Sequence, residues 1–124
     1  MGCLINYATG DGVLCAVVTG RSTQQDAAWI ARDITEQAER QTSRRVLIDV
    51  RRLADRVGTL GMLSLAMGVP GEVRGFRIAV VDAVENDAYY ALHEISAKAR
   101  GYVLRCFTSA AAAAKWLRGA PAQD

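Results

Sequence analysis

Apolar positions along this chain fall into short runs separated by stretches of helical period. Residues 3–8 are the first strand-like run. Thr9-Gly10-Asp11-Gly12 follows, and Asp-Gly between two apolar runs is a hairpin signal, because both residues tolerate positive φ. Val13 to Thr19 is a second strand, rich in β-branched residues and apolar almost without interruption, the pattern of a strand covered on both faces. After Gly20-Arg21 the period changes. Ser22 with Gln25 makes a capping box, and Ala27, Ile30, Ala31, Ile34 and Ala38 lie on one face of a helix. Arg32, Glu36 and Arg40 sit one turn apart on the wet side, and Trp29 falls at the edge of the apolar stripe, as a packing group.

The alternation then repeats. Val46 to Val50 is a third strand, and residues 59–67 are a short helical segment, apolar nearly all round, that ends at Gly68-Val69-Pro70-Gly71. Phe76 to Val81 is a fourth strand. A helix starting at Asn86 or Asp87 carries the stripe Ala88, Ala91, Leu92, Ile95 and Ala99, with Gly101 just past its end. Tyr102 to Phe107 is a fifth strand, and Ser109 caps a last helix that runs to Leu117 and stops at Gly119. The order ββαβαβαβα predicts an α/β domain: a mixed five-stranded sheet with four helices, its parallel strands joined by right-handed crossovers and one strand antiparallel. No repeat or linker divides the chain, so residues 1–119 are expected to be one domain and 120–124 a frayed tail.

Composition narrows the function. The chain has 124 residues, 51% of them hydrophobic and 23% charged, enough to build a core without disulfides or metal. The net charge of +2 is too small for a nucleic-acid partner, and Arg44-Arg45 and Arg51-Arg52 flank an apolar run as solvated strand ends. Cys3, Cys15 and Cys106 share no Cys-x-x-Cys spacing and His93 stands alone, so no metal or other cofactor is expected and the thiols are expected to be buried and reduced. No run reaches the ~20 apolar residues of a membrane span and no signal-peptide pattern is read, so a cytoplasmic location is expected.

Nor does any constellation look catalytic. His93 has no serine or cysteine nucleophile on a strained turn to serve, and no Gly-rich phosphate loop follows a strand. Asp82, Glu85 and Asp87 cluster after the fourth strand; Asp87 fits a helix cap and Glu85 a first-turn charge.

The element order resembles the STAS fold of the anti-sigma-factor antagonists, and more narrowly the SpoIIAA-like group. The hairpin into Val18-Thr19-Gly20, Leu47-Ile48-Asp49-Val50, Arg77-Ile78-Ala79-Val80-Val81-Asp82, and Cys106-Phe107-Thr108-Ser109 running to Ala114-Lys115-Trp116-Leu117 carry the resemblance. It implies a non-catalytic binding or regulatory module. In the antagonists a kinase phosphorylates a serine in an Asp-Ser-Ser-Gly run after the third strand. The corresponding stretch here is Val57-Gly58-Thr59-Leu60, without that motif, and Thr59 is expected to cap the short apolar helix instead.

The working surface is therefore expected beyond the third strand. Arg51, Arg52, Asp55 and Arg56 form a polar rim, and Thr59, Met62 and Leu63 lead into an apolar centre, the composition of an association surface. The expected role is protein–protein interaction, with a regulatory partner or a second copy in a homodimer. The alternative is a small carrier that holds an apolar, lipid-like ligand between sheet and helix.

Overall fold

The computed structural model describes residues 3–21, 24–53, 75–82, 98 and 101–119. The strands are β1 (Cys3–Gly10), β2 (Val13–Gly20), β3 (Arg45–Asp49), β4 (Arg77–Val81) and β5 (Val103–Phe107), and the helices are α1 (Gln24–Arg40) and α2 (Ala110–Gly119). The five strands make one sheet in the order β1-β2-β3-β4-β5. β1 and β2 pair antiparallel; every later neighbour pairs parallel. The mixed sheet expected from the alternation of periods is present.

Of the four expected helices, two fall on described residues. The segments 59–67 and, but for Lys98, 86–99 lie outside them, as do Ser22 and the tail 120–124. The hairpin turn is as anticipated: Asp11 and Gly12 both have positive φ, 55° and 76°, which suits a two-residue turn between twisted strands. β1 extends to the turn itself, two residues beyond the apolar run. Phe76 precedes β4 rather than opening it, yet stays in the core.

The ends of the helices have identifiable causes. Ser109 caps α2 by accepting the amide N–H of Ala112 on its Oγ at 3.2 Å. At the end of α1 the N–H of Ser43 bonds the carbonyl of Ala38, and that of Thr42 the carbonyl of Glu39. That is a Schellman cap, whose left-handed position is filled here by Thr42 at φ 54° in place of the usual glycine. Ser43 is buried. Its Oγ lies 2.9 Å from the Gly12 carbonyl and 3.0 Å from that of Arg45, and so ties the hairpin turn to the start of β3.

The core has a layer on each side of the sheet. On one face Leu14, Ala16, Val18, Val46, Val80 and Leu104 meet Ile34 and Ala38 of α1, with Ile30 and Trp29 packed at the margin. On the other, Val13, Leu47, Ala79 and Val81 meet Ala113 and Leu117 of α2. β2 serves both layers, which explains its unbroken apolarity.

One expectation is corrected: Cys15 and Cys106 are half-buried, not fully buried. Cys15 lies at the margin of what α2 covers, and Cys106 is on an edge strand, so each keeps one open side.

Candidate functional site

Parallel strands end together, and the chain leaves them through loops on one rim of the sheet. Here that rim is built from the ends of β3, β4 and β5. β3 closes on Asp49. Val50 remains buried and passes its N–H to the carbonyl of Val81, and Leu53 bridges back to Gly20. Between these anchors Arg51 and Arg52 are forced outward, and both are exposed. At the end of β4, Asp82 is wholly buried and its N–H bonds the Phe107 carbonyl.

Asp49 holds Arg51 in a fork. Nε of Arg51 donates to Oδ1 at 3.0 Å and Nη2 to Oδ2 at 2.7 Å, and the Arg51 amide adds a third bond to Oδ1 at 3.1 Å. Two parallel N–H bonds fix the guanidinium plane as well as its position. The hydrogen bonds from Arg51 hold the Asp49 carboxyl below the usual carboxylate range, against the opposing pull of partial burial. Because the folded-state value is depressed, the contribution of the fork to stability is present above the ordinary aspartate range and is lost as pH falls through the lowered value. Arg51→Gln removes the charged fork, and the Asp49 titration followed by carbon NMR is expected to move up toward the ordinary range. An unchanged titration would mean that the fork does not form in solution.

Of the anticipated surface residues, the structure thus places Arg51 and Arg52 together on the rim. Asp55, Arg56, Thr59, Met62 and Leu63 lie outside the described residues, as do His93, Glu85 and Asp87. Arg45 departs from the solvated strand end expected of it. It is half-buried, with Nη1 at 3.5 Å from the Arg118 carbonyl at the end of α2, where the helix dipole favours a cation.

Sequence reasoning missed two further constellations. The buried Arg77 guanidinium lies 4.2 Å from the centroid of the Trp116 ring, and Trp116 in turn leans on Phe107 at 5.6 Å. Tyr7 donates a hydrogen bond to Asp33, joining β1 to α1. Burial, followed by that bond and the charge of Asp33, pushes the phenol well above its ordinary value and keeps it neutral. Neither pair has a local signature, since the partners lie far apart in sequence. On the α2 side of the sheet, burial and then the charge of Asp49 push the Cys15 thiol up, which keeps it protonated and a poor nucleophile.

Among the described residues no group of histidine, cysteine and carboxylate side chains could hold a metal ion, and no helix is long and apolar enough to cross a membrane. No protein-family model matches the chain, and no curated protein matches it. Solved structures do. An anti-sigma factor antagonist from Mycobacterium paratuberculosis superposes with a TM-score of 0.63 at 16% identity, over 94% of each chain. A protein of the DUF3478 family from Shewanella loihica, described as uncharacterized and as having a SpoIIAA-like fold, superposes with a TM-score of 0.50 at 19% identity, over 94% of this chain and 93% of that one. The fold is SpoIIAA-like. In this SpoIIAA-like sheet the Asp49–Arg51 fork stands on the rim directly after β3.

Proposed function

We propose that this chain is a non-catalytic module that docks a partner protein through the rim beyond β3, with Arg51 and Arg52 as its charged contacts. The observation that carries this reading is the fork. An exposed arginine already held in one pose loses little rotamer freedom on binding, and arginines so placed are frequent anchors of protein interfaces. Arg52, exposed beside it, adds a second positive charge, so the partner surface is expected to offer carboxylates. The SpoIIAA-like fold, shared with an anti-sigma factor antagonist, supports a regulatory role for such docking. The loop residues Asp55, Arg56 and Thr59 and the apolar Met62 and Leu63 belong to the same proposed surface by sequence alone.

The test compares the wild-type chain with an Arg51→Gln/Arg52→Glu double variant. A protein captured from the source cell by the immobilised wild type is purified and titrated against both. Loss of about tenfold or more in affinity for the variant, with its cooperative unfolding retained, supports the reading. Equal affinity for both overturns the assignment of the surface. Native mass spectra that show a retained apolar small molecule, with no protein captured, overturn the docking role in favour of a carrier.

A further inference from the structure

The outer edge of β1 is unusual for a sheet edge. Natural edges are blunted by charged side chains, proline, bulges or brevity, because their unpaired N–H and C=O groups otherwise recruit another strand. Among the described residues β1 shows none of these devices, and no segment pairs with its outer side. It spans eight residues, Cys3–Gly10, none of them charged and none proline. Its pairing with β2 is unbroken from Cys3↔Gly20 to Gly10↔Val13, so no bulge turns it away. Among the described residues Leu4 is the large apolar side chain left most open, at 70% exposure, with Asn6, Ala8 and Thr9 exposed beside it. The opposite edge, β5, has five residues and carries an exposed arginine, Arg105.

The hairpin fixes which backbone groups are available. A two-residue turn closes on a hydrogen-bonded pair, here Gly10–Val13, and such pairs alternate along an antiparallel ladder. Gly10, Ala8, Asn6 and Leu4 therefore spend their N–H and C=O groups on β2. Those of Thr9, Tyr7, Ile5 and Cys3 point outward. We propose that β1 pairs antiparallel with β1 of a second copy of this chain, extending the two sheets into one. The register that uses all the outward groups sets Ile5 of one copy against Tyr7 of the other and Cys3 against Thr9. Asn6 then faces Asn6 on the two-fold axis, and exposed Leu4 covers Ala8.

A second copy fits this edge in charge as well. An uncharged strand meets itself without like-charge repulsion, and Tyr7 stays neutral in its bond to Asp33. Asp33 of α1 accepts the hydrogen bond of Tyr7, so α1 runs close to this edge of the sheet. A two-fold axis perpendicular to the sheet brings two α1 helices together running in opposite directions. This contact lies at the far edge of the sheet from the β3–β5 rim ends, so it stands independently of the docking reading above.

The test rests on Asn6, whose side chain is exposed and makes no core contact. Light scattering of the wild type is expected to give a dimer mass. Asn6→Lys and Asn6→Asp each place like charges on the axis, and each is expected to weaken self-association about tenfold or more while keeping a wild-type melting curve. Mixing the two restores the dimer as a heterodimer. Amide exchange supplies a second readout. Raising the wild-type concentration is expected to slow exchange at Ile5, Tyr7 and Thr9 but not at Asn6 or Ala8. A wild type that remains monomeric at about 100 μM, single variants that dimerise unchanged, or a mixture that stays monomeric overturns the proposal.

Discussion

Ile34→Asp is expected to remove about 5 kcal/mol of stability, roughly 20 °C in melting temperature for a domain of this size. Ile34 is buried in the layer between α1 and the sheet, among Val18, Ala38, Val46 and Val80. Truncating such a side chain alone costs about 2–5 kcal/mol. Aspartate adds a carboxylate that must either stay charged without a partner or take up a proton, at a further cost. The solvent side of the same helix gives the control. Glu39 is exposed, and Glu39→Gln is expected to change stability by less than about 0.5 kcal/mol. Thermal denaturation of both variants checks the pair. If Ile34→Asp melts near the wild type, α1 does not bury this face.

Leu117→Ala tests the other layer and is expected to cost about 3–5 kcal/mol, toward the upper end for leucine truncation. Leu117 is fully buried, and most of the buried side chains in its layer are small or stiff: Ala79, Val81 and Val13 on the strands and Ala113 on its own helix, with Leu47 the longer exception. Alanine and valine have few alternative rotamers with which to fill a hole, so most of the cavity would persist. α2 also holds Trp116 against Arg77, and a shift of the helix would disturb that contact. Denaturant unfolding followed by tryptophan fluorescence reads both effects. A loss below about 1 kcal/mol would mean that the site collapses freely.

The sheet was legible in the sequence because each strand signal is local. The apolar run of β2, the Asp11-Gly12 turn and the Ser109 cap are all written within a few residues of where they act. The face of α1 was legible too, since Ile34 and Ala38 follow the helical period. What escaped has a different physical character. The fork of Asp49 and Arg51 needs the chain to turn outward just after β3, and that turn is imposed by Val50 and Leu53 bonding elsewhere. The burial of Arg77 depends on Trp116 arriving from the far end of the chain. The Schellman cap at Thr42 breaks the residue preference that would have announced it, because a threonine stands where glycine is expected. The half-exposure of Cys15 and Cys106 depends on how far a helix reaches across a sheet, which no run of residues encodes.

The order of the strands in the sheet has a consequence for how the molecule is made. Because spatial order equals chain order, every strand docks on the one synthesised just before it. The β1–β2 hairpin can close while the rest is still on the ribosome, and the sheet can then grow one strand at a time, each parallel strand docking once the crossover before it has been made. The two layers mature at different times, however. α1 is available to cover its side as soon as β2 and β3 exist. Among the described residues, the side bearing Leu47, Ala79 and Val81 meets its helix only when α2 emerges after β5. In a nascent chain paused between β4 and α2 these side chains still lack Ala113 and Leu117, and that interval is when a chaperone has something to hold.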